Sequence, residues 1–284
     1  MMKSSTQIKA LIRNLAKEKE VNAQILLRNY MLERLLERIS RSEYKDNFIL
    51  KGGMLVAALV GVDMRSTIDM DATIKSFPVD PGSIKAVFNV ILGLPMDDGV
   101  EMTLIRVDEI RDEDQYNGYR VSIEAVMDNA RVPIKVDITA GDEITPKEVI
   151  YTFDLLLEDR SIDILAYNIE TVIAEKFETI LTRGITNTRM RDFYDIYILV
   201  KLQGHRVEHA VLGDAVRKTA EKRGSISALS GGQAILDEVR FDDGMQRHWL
   251  NYQKKNSYAD DITWDDINVS LINLWNVIDA NLER

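Results

Sequence analysis

The sequence predicts an α+β protein: helices first, a core that mixes strands and helices, then a helical C-terminal domain. Three observations carry this. Apolar residues recur at helical spacing through residues 4–42. Residues 48–73, FILKGGMLVAALVGVDMRSTIDMDAT, run from a short apolar strand through Gly-Gly into a helix and back to an alternating segment. From about residue 155 the helical spacing returns. The expected domains are a helical arm packed on the core (1–44), the core itself (45–155) and a helical domain (156–284).

In the arm, Ile8, Leu11, Ile12 and Leu15 mark one helix face, and Ile25, Leu26, Tyr30, Leu32, Leu35, Leu36 and Ile39 another. Glu33, Arg34, Glu37 and Arg38 fill the intervening positions and read as a solvated face; Arg28, Arg34 and Arg38 are alternatively placed to touch a phosphate. In the core, Phe48-Ile49-Leu50 reads as a buried strand. Gly52-Gly53 allows a tight turn and a close backbone approach. Residues 54–60 follow as a buried helix that Gly61 ends. A helix is expected over 82–94 and a strand over 100–110, with Met102, Leu104 and Arg106 on one face. A turn follows at 112–118, then strands at 119–127 and 132–138. Beyond 155, Asn168 is the expected N-cap of a helix over 168–181, with a polar, basic connector at 182–191 and another helix at 192–202. The rest is helical, with breaks at its glycines. Trp249, Trp264 and Trp275 read as packing residues, and His205, His209 and His248 take no ligand role.

Composition narrows the function. The 284 residues contain no cysteine, which excludes disulfides and thiolate chemistry. No apolar run is long enough to span a membrane, and the N-terminus lacks the apolar centre of a signal peptide. A cytoplasmic protein is expected. The net charge of −10 speaks against a long nucleic-acid grip but leaves room for a local basic pocket.

The chemistry is concentrated in Ile68-Asp69-Met70-Asp71. In a strand, Asp69 and Asp71 project side by side, while Ile68 and Met70 turn to the core. Two adjacent carboxylates repel, and a hard divalent cation such as Mg²⁺ relieves that. The Gly52-Gly53 turn and the following helix N-terminus would attract phosphate oxygens. A solvated pair on a sheet edge is the plainer alternative. Asp137, between Val136 and Ile138, is an acid in a core pattern. If its strand lies beside that of Asp69 and Asp71, three acids could hold two metal ions about 3.5–4 Å apart. Asp142 is the alternative acid, more naturally a cap or a solvent-facing group.

Three pieces in order, KGG–helix–RSTIDMD, KVDIT and AEKFETIL–TRGITNTRMRDFYDIYIL, resemble the AbiEii/AbiGii-type nucleotidyltransferases. These are toxins of type IV toxin–antitoxin and abortive-infection systems, within the polymerase-β-like superfamily. The resemblance covers about residues 45–200. It implies a polymerase-β-like core in which Gly52 and Gly53 contact an NTP, and Asp69, Asp71 and Asp137 bind Mg²⁺. It also implies that Lys176 reaches a nucleotide phosphate and that Asp192 or Asp195, the latter preferred, is the additional acid. Arg189 and Arg191 would bind phosphate. Met54 stands where many members carry Ser or Thr; Ser66 or Thr67 could supply the hydroxyl instead. The resemblance further implies transfer of a nucleoside monophosphate to an acceptor such as a tRNA end, and a cognate antitoxin. An RNA partner would use Arg183, Arg189, Arg191, Arg217, Lys218, Lys222 and Arg223. Two alternatives stay open: a non-catalytic NTP sensor, and phosphoryl transfer to a protein.

Overall fold

The computed structural model describes residues 4–111 and 117–282. The turn expected over 112–118 lies, through residue 116, outside the described residues. The chain divides into two compact units, Met1–Asp142 with Val149–Ala166, and Glu143–Glu148 with Tyr167–Arg284.

The first unit opens with two helices, α1 (Ser5–Glu18) and α2 (Ala23–Arg41). Ser4 and Gln7 form a reciprocal capping box on α1, and the Asn22 side chain caps α2. There follow β1 (Phe48–Lys51), α3 (Gly52–Val60), β2 (Met70–Ile74), α4 (Pro81–Leu92), β3 (Glu101–Arg111), β4 (Asn117–Met127), β5 (Ala130–Ala140), β6 (Val149–Asp154) and β7 (Ser161–Ala166). The strands form one mixed sheet in the order β3-β4-β5-β2-β1-β7-β6. β2 runs parallel to β5 and antiparallel to β1; β1 runs parallel to β7. β5 alternates: Val132, Ile134, Val136 and Ile138 are buried, while Lys135 is exposed and Asp137 half-buried. That period of two is what a sheet with one packed face requires.

Four expectations change. The helical pattern predicted from 155 begins later, because Ser161–Ala166 forms β7, antiparallel to β6 and parallel to β1. Its Ile162-Asp163-Ile164 alternation is a strand signal, short enough to be absorbed into neighbouring helical spacing. In β3 the register shifts between Leu104 and Arg106, so Leu104 pairs with the buried Ile123 and Arg106 with Ser122. The extra residue, Ile105, turns Arg106 to the face opposite Met102 and Leu104. Ile68 is 40% exposed and sits in a bend before β2, so it does not enter the core; Met70, Ala72 and Ile74 do.

The fourth change concerns α2. Glu33, Arg34, Glu37 and Arg38 are buried, not solvated. α2 packs on β5, β7 and α4, and its polar side meets complementary groups from two loops. Arg38 holds Asp98 with both terminal nitrogens (2.6 and 3.1 Å) and donates to the Val100 carbonyl. Arg160 holds Glu37 (2.7 and 2.9 Å), and Arg34 pairs with Glu37 and Glu158. The Leu156 N–H donates to Glu33 at 3.0 Å. Burial pushes the Glu33 carboxyl up to about 8, although that N–H and Arg34 oppose the shift.

The second unit is helical: α5 (Ile169–Arg183), α6 (Met190–Gln203), α7 (His209–Arg223), α8 (Ile226–Ser230), α9 (Gly232–Phe241), α10 (Asp243–Gln253) and α11 (Trp264–Leu282). Asn168 caps α5, accepting from the Thr171 N–H at 2.8 Å. The tryptophans are packing residues, as expected: Trp275 stacks on Phe177, Trp264 meets Phe193, and Trp249 donates to the Ile262 carbonyl. Among the described residues no helix is long and apolar enough to cross a membrane.

Candidate active site

The sheet register places four charged residues in one row across four adjacent strands. Lys51 of β1 pairs with Asp71 of β2, Asp71 with Asp137 of β5, and Asp137 with Arg120 of β4. Residues paired across neighbouring strands project to the same face, about 4.8 Å apart. The row therefore reads plus, minus, minus, plus. Asp69 lies two residues before Asp71, in the bend that enters β2. The strand of Asp137 does lie beside that of Asp71, the condition set by the sequence, and Asp69 is reached through a bend and not through strand alternation.

The glycine turn closes on this row. Gly52 has φ +65°, a left-handed conformation that disfavours any side chain. A Cβ on it would stand 2.8 Å from the Asp71 Cβ. The Gly53 N–H points at the Asp71 carboxylate from 3.4 Å. Arg65, buried, passes beside Gly53 and donates to the Ser66 carbonyl. The Thr67 hydroxyl, suggested as a phosphate donor, donates instead to the Asp69 carbonyl at 3.1 Å and so fixes the bend. Ser66 is half-buried.

The electrostatics follow from this crowding. Burial raises the Asp71 carboxyl pKa, and the neighbouring Asp137 charge raises it further, against Lys51. Asp69 is raised by burial and then by Asp137, with Lys135, Arg120 and Arg28 opposing. The cations at the ends of the row have other acids to hold. Lys51 binds Asp142, whose carboxyl burial alone would raise; Lys51 and the Thr139 hydroxyl hold it down to about 2. Asp142 is thus neither a cap nor solvated. Arg120 holds Asp137 through two bonds, Nε to Oδ1 at 2.8 Å and Nη2 to Oδ2 at 2.6 Å.

This donor set bears on a metal ion. Asp69 and Asp71 form no ion pair among the described residues, and burial, then the Asp137 charge, raises both carboxyls against the nearby cations. An all-oxygen pair of that kind suits Mg²⁺. Both Asp137 oxygens are bonded to Arg120, and among the described residues no three acids converge on one ion position.

In the second unit, Lys176 of α5 binds both candidate acids of α6, Asp192 and Asp195, each at 2.8 Å. Asp195 is fully buried and pairs with Lys176, not with Arg191. Asp192 is in the first turn of α6, where Arg189 occupies the N-cap position. Arg189 and Arg191 are exposed. At least three of the seven residues of the expected basic patch are held by acids of α5 and α7. Arg217 pairs with Asp214 and Glu221, Lys218 with Asp214, and Arg223 with Glu175 and Glu178. Arg120 and the Lys51–Asp142 pair escape the motif reading. The signal for Arg120 was nevertheless there: a two-residue hairpin at Asp128-Asn129 pairs Met127 with Ala130, and counting back from it pairs Arg120 with Asp137.

A profile of the nucleotidyl transferase AbiEii toxin family, type IV toxin–antitoxin system, matches residues 34–268, from α2 into α11. Among solved structures, MenT4, a nucleotidyltransferase toxin from Mycobacterium tuberculosis H37Rv, superposes with a TM-score of 0.55. The match has 13% identity and covers 96% of this chain and 98% of that one. The JHP933 protein from Helicobacter pylori gives a TM-score of 0.49 at 15% identity, over 92% of this chain and 94% of that one. At such identities the likeness concerns the fold alone. No curated protein sequence matches. The family profile spans both units, and the chain belongs to the AbiEii family of nucleotidyl transferase toxins of type IV toxin–antitoxin systems.

Proposed function

We propose that the nucleotidyl transfer is Mg²⁺-dependent and moves a nucleoside monophosphate from an NTP to an acceptor hydroxyl, with an RNA end such as that of tRNA as the acceptor class. The observation that carries this reading is the register that sets Asp71 beside Asp137, with Asp69 two residues away. Asp69 and Asp71 would hold the ion, and Asp137 would complete the set. Bound Mg²⁺ would supply charge neutralisation on the triphosphate and on the attacking oxygen. The backbone N–H groups at Gly52 and Gly53, at the start of α3, would receive phosphate oxygens. In the reaction the acceptor oxygen bonds to the α-phosphorus, the bond from that phosphorus to pyrophosphate breaks, and the acceptor proton passes to a carboxylate or to water.

Lys176 would bind a phosphate, with Asp192 and Asp195 setting the position of its ammonium. Asp195, fully buried on α6, is the anchor of that trio, and Asp192, partly exposed, is the exchangeable member. Arg189 and Arg191 are the exposed cations nearest in sequence for an acceptor phosphate. A cognate antitoxin is the protein partner that the family assignment implies.

The test is a labelling assay. Purified protein, Mg²⁺ and each α-phosphate-labelled NTP are incubated with total RNA, with purified tRNA, or alone, and Asp69→Ala/Asp71→Ala is the control. Label in RNA, lost in the control, is the expected outcome. Label on the protein alone would move the acceptor to a side chain. Nucleotide bound with no label moved anywhere, in any of these mixtures, would overturn the reading in favour of a sensor.

A further inference from the structure

We propose that Arg120 has two partners in turn: Asp137 in the free protein and a phosphate of the nucleotide in the loaded one. Metal ion and nucleotide then enter the site as a coupled pair. This rests on the nucleotidyl-transfer reading above and names how that site is regulated.

The geometry of the row carries the proposal. Asp137 lies between Asp71 on one side and Arg120 on the other, in register on adjacent strands. Arg120 engages both carboxylate oxygens, the side-on fork of a guanidinium against a carboxylate. While that fork is closed, both Asp137 oxygens are bonded to Arg120 and the guanidinium charge neutralises the carboxylate. An ion at the Asp69–Asp71 pair therefore finds two unpaired carboxylates and a third whose charge Arg120 already compensates, and the third gives its full charge to the ion only when Arg120 leaves.

The two cations that end the row differ in their freedom to move. Lys51 is held by Asp142 in a pair whose side chains are 13% and 11% exposed. Arg120 is 36% exposed, on a partner that is 21% exposed. A side chain so open can swing without first breaking packing, and a guanidinium fork fits two phosphate oxygens as well as two carboxylate oxygens. A released Arg120 loses its two-oxygen partner to the metal ion, and the polyphosphate offers another. An ion without nucleotide must displace Arg120 with nothing to receive it. An ion arriving with nucleotide gives Arg120 a second anion of the same geometry.

The exchange makes the two affinities depend on each other, by the reciprocity that any linkage obeys. Removing the guanidinium should separate them. The experiment measures Mn²⁺ binding, as the probe ion, by the free-ion EPR signal, with and without an α,β-methylene nucleoside triphosphate. Wild type, Arg120→Gln and Arg120→Lys are compared. In the wild type the analogue should tighten Mn²⁺ binding by about tenfold. In Arg120→Gln, Mn²⁺ should bind the nucleotide-free protein about fivefold tighter, the analogue should bind more weakly, and the coupling should fall to about twofold. Arg120→Lys keeps the charge without the fork and should fall between. It is the variant to read if the Gln protein does not fold. A purely structural cross-strand pair would change thermal stability in these variants and leave the coupling as in the wild type; that result would overturn the proposal while the labelling assay still succeeds. A wild type that binds no analogue and labels no acceptor would overturn the nucleotidyl-transfer reading itself, and this inference with it.

Discussion

Substituting Gly52 by Ala should separate catalysis from folding. Two penalties meet at this position. Alanine in a left-handed conformation is disfavoured by about 1–2 kcal/mol. The new Cβ would stand 2.7 Å from the Asp71 Cγ and 2.8 Å from the Asp71 Cβ. Rotation about χ1 carries the Cγ away but leaves the Asp71 Cβ where it is. The contact is relieved only if the β1–α3 turn retreats from β2, by roughly 1 Å to reach ordinary carbon–carbon separation. Forced crowding of this kind costs about 1–3 kcal/mol, so the sum is roughly 2–5 kcal/mol, small enough for a folded protein. The retreat moves the Gly52 and Gly53 N–H groups, proposed above to receive phosphate, off the acid row, and a displacement of about 1 Å is worth about a hundredfold in rate. All three tryptophans lie in the second unit, so their fluorescence reports on that unit alone. The first unit is best followed by hydrogen-exchange mass spectrometry across β1 and β2. The expected result is a protein with modestly reduced protection in those strands and about a hundredfold slower label transfer. Gly53→Ala is the internal comparison: its Cβ would meet only the ends of side chains, Thr67 Oγ1 at 2.8 Å and Arg65 Nη2 at 3.0 Å. It should be the milder of the two. A Gly52→Ala protein that transfers label within about threefold of wild type would refute the reasoning, since the turn would then be shown to tolerate the retreat.

Three further outcomes follow from the same structure. Glu33 carries a carboxyl that titrates near 4.5 when unfolded and near 8 when folded. The native state therefore holds an extra proton between those values, and this group's contribution falls as pH rises through that window, by at most about 5 kcal/mol. Glu33→Gln keeps an acceptor for the Leu156 N–H and should flatten the dependence of exchange protection in α2 on pH between about 5 and 8; an unchanged slope would contradict it. Asp71→Asn removes a carboxylate that burial and Asp137 make unfavourable, so it should abolish transfer while stabilising β2, read as slower exchange there. Asp195→Asn takes the charge from the fully buried partner of the half-buried Lys176 and should destabilise the second unit by about 3 kcal/mol in urea followed by tryptophan fluorescence. Asp192→Asn, at a more exposed member of the same trio, should cost less than half of that, and equal losses would count against Asp195 as the anchor.

Much of this was legible in the chain because each element announces itself locally. Phe48-Ile49-Leu50, Gly52-Gly53 and the alternation through Asp71 fix β1, α3 and β2 without tertiary information. Asn168, four residues ahead of the apolar face that includes Val172, marks the start of α5. Other features depend on partners distant in sequence. The four charges of α2 look solvent-facing by periodicity, and only Asp98, Glu158 and Arg160, delivered by separate loops, turn them into an interior network. Ile68 looks inward by alternation, but the bend held by Thr67 comes first. The role of Arg120 needed a hairpin register counted outward from Asp128-Asn129, a signal weaker than any motif. The sequence leaves Asp192 and Asp195 as alternatives, whereas Lys176 holds both.

The parallel pairing of β2 with β5 also has a consequence for timing. Thr73 and Thr139, partners in that ladder, are 66 residues apart in the chain. Contacts of such separation form late, after the loop entropy of everything between them has been overcome. Asp71 therefore acquires Asp137 as a neighbour only after the β4–β5 hairpin has docked. A nascent chain released before β5 carries the D-x-D motif without the acid row. For a member of a toxin family, this makes the assembled acid row contingent on finished folding, and it leaves the interval before β5 docks as a period in which the emerging chain carries the motif without the row.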